Sequence, residues 1–267
     1  MYPPERIVCL TEETTETLYL LGEQHRIVGI SGYTVRPPRA RQEKPRVSAF
    51  ISADMPKILA LQPDLVLTFS DLQADLVASL VRAGIAVHAF NQRTVAEILD
   101  MIRLLGALVG APERAKALAD ELADNVEATR RRTSGCGARP KVYFEEWDEP
   151  MISGISWVSE LVGAAGGDDI FPERASCKSA RDRIVTPDDV IRRAPDIVIG
   201  SWCGKKFKSE KFAARPGFAS LPAVRNGRLH EIKSPLILQP GPAALTDGLA
   251  ALEAIIGGTT VRPATSP

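Results

Sequence analysis

A short pattern that occurs twice constrains the fold of this chain most strongly. Residues 59–67 read LALQPDLVL, and residues 191–199 read IRRAPDIVI. In each copy a predicted helix meets a Pro-Asp pair that breaks it, and the apolar run that follows predicts a buried strand. The repeat favours two halves of similar architecture over one large sheet.

Strands and helices alternate through the first half of the chain. The apolar runs and helical periodicities there predict strands at 6–10, 27–30, 65–69 and 87–90, and helices at 13–21, 55–61 and 74–83. Strand-helix-strand order with short connections is typical of a parallel sheet covered by helices.

A long helical segment follows, from about residue 95 to residue 132, with an interruption at Gly110-Ala111-Pro112. Pro112 suits the first turn of a helix, and residues 113–132 contain neither Gly nor Pro. The pattern therefore predicts an α/β fold of two Rossmann-like lobes with parallel sheets, bridged by one long α-helix. The predicted boundaries are 1–112 for the N-terminal lobe, 113–134 for the linking helix, 135–258 for the C-terminal lobe and 259–267 for a frayed tail.

The alternation restarts after Pro140. The predicted elements of the second half are strands at 141–144, 197–200 and 228–232, and helices at 157–163, after Thr186 and at 243–256. Thr186 followed by Pro187 and two aspartates is a typical helix start, since the hydroxyl caps free N–H groups and the acids favour the positive end of the helix dipole.

Composition excludes several classes of protein. The chain has 33 basic and 33 acidic residues, so it lacks the basic excess that nucleic-acid binding proteins normally show. Its apolar runs are too short and too interrupted to predict a membrane-spanning helix. The first ten residues lack the pattern of a secretory signal, which predicts that the chain as written stays in the cytoplasm. A misplaced or trimmed start would leave a periplasmic or surface location open.

The metal-binding residue types are scattered. The four cysteines form no CxxC pair, and none of the three histidines falls on a predicted strand-end loop. We therefore predict no bound metal ion and no resident cofactor.

Ligands of open parallel sheets bind beyond the carboxyl ends of the strands, on the loops. Aromatic side chains on those loops supply contact area for a flat ligand, and acidic or amide groups fix its orientation. The predicted ligand-binding residues are Glu12, Glu13, Tyr33, Phe50, Ser70, Asp71, Glu145, Trp147, Trp202, Cys203 and Gln239.

Other interpretations of these residues stay open from sequence. Glu12-Glu13 and Glu145-Glu146 follow predicted strands in different lobes, where they suit ligand binding or acid/base catalysis. Cys203 suits a metal or cobalt ligand, although a small buried thiol is the commoner outcome. Trp202 either faces a ligand or fills the core of its own lobe.

The order of these motifs resembles a known family. The opening at residues 6–22, RIVCLTEETTETLYLLG, the two Pro-Asp repeats, the GGDDIF segment ending at Phe171 and the long helix are together similar to helical-backbone (class III) substrate-binding proteins of ABC importers. That family carries iron-siderophores, haem or cobalamin, and the resemblance is nearest to the cobalamin-binding branch.

The resemblance implies a non-catalytic protein that binds a corrinoid, or a related metal chelate, in a cleft between two lobes. It also implies an ABC permease as partner. Proteins of this family dock on the permease through one exposed glutamate on each lobe. The corresponding regions here offer Asp71 or Asp75 in the first lobe, and Glu210 among four lysines in the second. With the missing signal, this departure leaves two alternatives: a cytoplasmic corrinoid carrier without a permease, or a cytoplasmic enzyme that uses the paired glutamates.

Overall fold

The computed structural model describes residues 2–49, 52–135 and 137–258. They divide into two compact units. Unit 1 contains the residues up to Gln92 together with Ala96–Leu122, and unit 2 contains Arg93–Val95 together with the residues from Ala123 onward. This division falls inside the long helix, and the predicted boundaries at 112 and 134 stay a prediction.

Unit 1 is built around a parallel five-stranded sheet. Its strands are β1 (Ile7–Cys9), β2 (Ile27–Ser31), β3 (Arg46–Ser48), β4 (Leu65–Phe69) and β5 (Val87–Phe90), in the order β3-β2-β1-β4-β5. Each neighbouring pair is parallel. The central strand β1 is fully buried, as its apolar sequence requires.

Helices of unit 1 follow the strands in sequence. They are α1 (Glu12–Leu20), α2 (Ala40–Glu43), α3 (Met55–Ala60), α4 (Ala74–Arg82), α5 (Val95–Leu108, of which Val95 belongs to unit 2) and the first part of α6 (Pro112–Thr133). Val8, Val66, Ile58 and Leu80 form one core cluster with their neighbours. Asp54 caps α3, since its carboxylate accepts from the Lys57 backbone N–H at 3.1 Å.

Unit 2 contains a mixed five-stranded sheet. Its strands are β6 (Lys141–Asp148), β7 (Met151–Ser153), β8 (Asp168–Asp169), β9 (Ile197–Gly200) and β10 (Leu229–Glu231). The path runs β10-β9-β6-β7, and β8 pairs with the start of β6. Strands β8, β9 and β10 run parallel to the strand each pairs with, whereas β7 is antiparallel to β6.

Short helices surround this second sheet. They are α7 (Ser156–Ala164), α8 (Pro172–Ala175), α9 (Pro187–Arg193), α10 (Ser209–Ala213), α11 (Pro222–Arg225), α12 (Ser234–Ile237) and α13 (Leu249–Ile256). A capping box between Thr186 and Asp189 starts α9, as the sequence predicts. The predicted closing helix begins with a π-helical turn at Ala244–Gly248 before α13.

The end of β6 differs from the prediction. The apolar run ends at Phe144, but the strand continues to Asp148 because its second half pairs with β7, with Trp147 opposite Ile152 and Asp148 opposite Met151. Glu145 and Trp147 were expected on a loop; they lie inside a strand instead. A turn at Glu149-Pro150 closes this hairpin, and the hydrophobic run alone gives no sign of it.

The predicted long helix forms as two helices separated at Val109–Ala111. Gly110 has a φ of +75°, which ends α5, and Pro112 starts α6, which continues without a break from unit 1 into unit 2. Within the described ranges, no helix has both the length and the apolar character needed to cross a membrane.

Close packing of α5 on α6 depends on Gly106. A Cβ at this position would lie 2.0 Å from the Cβ of Ala115 and 3.1 Å from the carbonyl oxygen of Ala111. Gly106→Ala should therefore destabilise the chain by about 2 kcal/mol, since overpacking outweighs the gain of about 1 kcal/mol in helix propensity. The midpoint of urea unfolding measures this change.

Gly163→Ala in α7 is the matched control, because a Cβ there meets no atom of the described residues within 4 Å. It should raise stability by up to about 1 kcal/mol. A Gly106→Ala variant that is as stable as its Gly163→Ala counterpart would contradict the packing argument.

Candidate functional site

The carboxyl ends of the unit 1 strands bring polar residues to one edge of the sheet. Thr11 follows β1, Ser31 ends β2, Ser48 ends β3 and Ser70 follows β4. The loops are tied together: the Gly32 N–H donates to the Ser48 carbonyl at 2.7 Å. A Cβ on Gly32 would lie 2.8 Å from that same oxygen, so this approach requires glycine. This is the edge at which open parallel sheets bind their ligands.

Glu12 and Glu13 form the first turn of α1 at this edge, and both are buried. Burial raises the pKa of Glu12 to about 8, and the neighbouring carboxylates Glu13 and Glu16 add to the rise. Burial likewise raises the pKa of Glu13 to about 7, although hydrogen bonds from its own backbone and from Thr11 oppose it. One oxygen of each carboxyl, Oε2 of Glu12 and Oε1 of Glu13, has no hydrogen-bond partner among the described residues.

A second loop of this edge is held in a strained conformation at Ser70. Its φ of 62° and ψ of 177° lie in a region that only glycine occupies readily. The Gln73 side chain fixes the loop, because its Oε1 accepts from the Phe69 N–H at 3.0 Å and its Nε2 donates to the Leu10 carbonyl at 3.3 Å. The ends of β1 and β4 are thereby joined.

The remaining predicted residues of unit 1 differ in accessibility. Tyr33 is 49% exposed, so its ring is available to a ligand. Asp71 is also exposed, whereas Ser70 is buried. Phe50 lies outside the described residues. The ligand contacts of all of them stay a prediction.

In unit 2 the structure buries Glu145 completely. Its carboxylate accepts from Arg215 through both guanidinium nitrogens at 2.6 and 3.0 Å, from Trp202 Nε1 at 3.0 Å and from the Tyr143 hydroxyl at 3.1 Å. Both oxygens are thus saturated by four donors. This arrangement stabilises the core, and it leaves the carboxylate closed to acid/base chemistry on a substrate.

The orientation expected for Trp202 is also corrected. Its ring is 3% exposed and packs edge-on against Phe207 at 5.0 Å between centroids, inside the core cluster of unit 2. Trp202 is the second residue after β9, and its indole N–H donates to the buried Glu145 carboxylate, which holds the ring in the core. Trp202 therefore supports the unit from within and does not present its ring to a ligand.

Other predicted residues of unit 2 remain accessible. Trp147 is partly buried, and the Lys205 ammonium lies 4.0 Å from the centre of its ring. Cys203 is exposed and Gln239 is partly buried. In the parts of the chain that the structure describes, no three His, Cys, Asp or Glu side chains gather as a metal-binding group.

The predicted ligand-binding residues leave out two buried hydroxyls that follow strands. Thr34, in the loop after β2, and Ser201, directly after β9, are 0% and 1% exposed. Neither Thr34 Oγ1 nor Ser201 Oγ has a hydrogen-bond partner within the described part of the chain. A small polar residue just beyond a buried strand is the signal that identifies such positions.

Strain at Ser70 gives a stability prediction. Ser70→Gly should stabilise the chain by about 1 kcal/mol, because relief of backbone strain exceeds the loss of the cap that Ser70 Oγ provides to the Leu72 N–H. Ser70→Ala keeps the strain and loses the cap, so it should destabilise by about 1 kcal/mol. Thermal unfolding of both variants measures the contrast, and equal shifts of the same sign would contradict it.

The Glu145 carboxylate, which accepts four hydrogen bonds, gives a second stability prediction. Glu145→Gln leaves the Arg215 guanidinium without its counter-charge and should destabilise the chain by about 3 kcal/mol. Glu149→Gln, the same change at an exposed residue of the hairpin that pairs with Lys211, should change stability by less than about 0.5 kcal/mol. Denaturant titration compares the two; a Glu145→Gln variant as stable as its control would show that the ion pair is dispensable.

Two relatives resemble this chain over most of its length. The vitamin B12-binding protein of Vibrio parahaemolyticus serotype O3:K6 is 24% identical over 255 residues, which cover 91% of this chain and 86% of that protein. An uncharacterized ABC transporter substrate-binding lipoprotein of Bacillus subtilis strain 168, YvrC, is 24% identical over 250 residues, covering 90% and 76%.

The fold is shared with a solved structure. The crystal structure of the periplasmic vitamin B12 binding protein BtuF of Vibrio cholerae superimposes with a TM-score of 0.76 at 24% identity, and the match covers 96% of this chain and 97% of that one. This similarity confirms the predicted two-lobe α/β architecture.

These comparisons do not support the cytoplasmic location expected from the first ten residues, because the solved structure is described as periplasmic and the Bacillus relative as a lipoprotein. They likewise give no support to a cytoplasmic carrier. The predicted family is confirmed by a sequence profile described as "Periplasmic binding protein", which matches residues 7–236. The chain belongs to this family of periplasmic binding proteins.

Proposed function

We propose that this chain binds a corrinoid and delivers it to the permease of an ABC importer, without catalysing a reaction. One observation carries the proposal: the similarity to a vitamin B12-binding protein extends over 91% of this chain, so it includes residues of both units. The name of the Bacillus relative supports the importer role.

Features of each unit support binding of a medium-sized organic ligand. The unit 1 edge combines the exposed ring of Tyr33 with buried polar groups that have no hydrogen-bond partner among the described residues. Unit 2 adds Trp147 and Gln239, which are partly accessible. Aromatic surface with a few convergent polar groups is the usual composition of a small-molecule site.

An enzyme that uses the paired glutamates receives less support. Glu145 is enclosed by four donors, and Glu146 is bound by the buried Arg183 through both guanidinium nitrogens. Neither carboxylate of this pair is available to transfer a proton to a substrate.

Binding is tested by equilibrium dialysis of the purified chain against cyanocobalamin, haem and a ferric siderophore, each followed by visible absorbance. We expect retention of cyanocobalamin and a higher thermal unfolding temperature in its presence, since a ligand that binds the native state stabilises it. Retention of haem or the siderophore alone would redirect the proposal to another chelate. Retention of none would remove this ligand class.

Tyr33 provides a site-specific readout. Tyr33→Ala should weaken cyanocobalamin binding by about tenfold through loss of ring contact, whereas Tyr33→Phe keeps the ring and should bind within about threefold of the unmodified chain. Unchanged affinity in both variants would place the ligand away from the loop after β2.

Delivery to a permease is tested separately, by uptake of labelled cyanocobalamin into vesicles that contain the importer. Uptake should require this chain. Binding without any stimulation of uptake would retain the corrinoid and remove the importer role.

A further inference from the structure

The Glu12 carboxyl is buried without the partners that buried acids normally have. The residue is 7% exposed, and its Oε2 has no hydrogen-bond partner in the described ranges. An unsatisfied buried polar group destabilises a fold, so its presence needs an explanation. Glu145 in unit 2, where every acceptor position is filled, shows that this chain can satisfy a buried glutamate when the role is structural.

The charged groups that face Glu12 do not neutralise it. They are Glu13 and Glu16 from its own helix and Arg41 from α2. Arg41 donates to the Gly32 carbonyl at 3.3 Å. Burial raises the pKa of Glu12 to about 8; Glu13 and Glu16 add to the rise, and Arg41 opposes it. Around neutral pH the group is therefore mainly a neutral acid, with one O–H donor and one carbonyl acceptor.

A second, independent group at the same edge is also unpartnered. Thr34 Oγ1 is fully buried and has no hydrogen-bond partner in the described structure. The loop that carries Thr34 lies over the first turns of α1, because Arg36 pairs with Glu16 at 2.7 Å and Gly32 accepts from Arg41, which faces Glu12. The Thr34 hydroxyl and the Glu12 carboxyl lie in one region, and each has an oxygen without a hydrogen-bond partner among the described residues. This arrangement indicates a ligand that bonds to both groups.

We propose that Glu12, with Thr34, binds a primary carboxamide of the ligand. The Glu12 O–H donates a hydrogen bond to the amide oxygen, and the Glu12 carbonyl oxygen accepts one from an amide N–H. Thr34 Oγ1 accepts a hydrogen bond from the other amide N–H. No covalent bond changes, and the proton stays on Glu12. The inference rests on the proposed function, since a corrinoid ring carries several primary carboxamides on its periphery.

An amine or metal cation at the same place would behave in the opposite way. It needs the ionised carboxylate, so its affinity would rise as Glu12 loses its proton. A carboxamide needs the O–H of Glu12 as a donor, and its affinity falls as the pH passes the pKa. The sign of the pH dependence therefore separates the two kinds of ligand group.

The test is a calorimetric titration of the full chain with cyanocobalamin at pH 6 and pH 9. Affinity should fall about tenfold between them, because a group with a pKa of about 8 keeps its proton in roughly a tenth of molecules at pH 9. Glu12→Gln replaces the acid by an amide that both donates and accepts, so it should bind within about threefold of the unmodified chain at pH 6 and lose most of the pH dependence. Glu12→Ala should bind at least about tenfold more weakly at pH 6.

Glu113→Gln is the matched control. Glu113 also lies in the first turn of a helix in unit 1, α6, but is exposed, so the variant should bind as the unmodified chain does at both pH values. Thermal unfolding of each variant reports whether it folds; if Glu12→Ala does not, the isosteric Glu12→Gln still decides the question through its pH profile.

Two results would overturn the inference while the proposed function stands: cobalamin binding that neither Glu12 variant changes at either pH, or an affinity that rises with pH. Absence of cobalamin binding by the unmodified chain would overturn both.

Discussion

Parallel pairing of β1 with β2 on one side and β4 on the other is the constraint on which the candidate site of unit 1 depends. Parallel strands end at the same edge, so the residues that follow them meet there whatever their separation in sequence. The register of the sheet therefore brings the site residues together, and their side chains then determine the chemistry of the site. A chain that paired these strands differently would still contain Glu12, Tyr33 and Ser70, but not in one place.

Two buried glutamates show how the same residue type serves different roles. Glu145 is surrounded by Arg215, Trp202 and Tyr143, and its charge is balanced inside the core. Glu12 is buried to a similar degree but has no counter-charge bonded to it among the described residues, and burial raises its pKa. A buried polar group stabilises a fold when all its hydrogen bonds are made. A buried polar group that lacks these bonds destabilises the fold and is typical of functional positions.

Membership of the periplasmic binding protein family accounts for the architecture but leaves the polar chemistry to the individual chain. Here the first strand ends in Thr11-Glu12-Glu13, so acids stand at the start of α1. Placement at the helix N-terminus favours a negative charge through the dipole, yet burial of Glu12 and Glu13 opposes ionisation more strongly. The balance raises the pKa of Glu12 to about 8 and that of Glu13 to about 7, at the sheet edge suited to a ligand.

The sequence by itself determined most of the framework. Hydrophobic periodicity and helix-breaking pairs located β1, β4, β5, β9 and the interruption before α6, because these signals are local and strong. The hairpin of β6 and β7 escaped prediction, since its pairing depends on residues that the local pattern does not mark.

Tertiary structure alone decided which strand-end side chains are open to a ligand. Trp202 and Tyr33 both follow strands, yet one ring lies in the core and the other is half exposed. The sequence cannot separate them, because exposure depends on whether a distant residue, here Glu145, supplies a buried partner. The sequence thus located most of the strands, and packing determined which residues beyond them face the core, because burial and pKa arise from neighbours brought together only by folding.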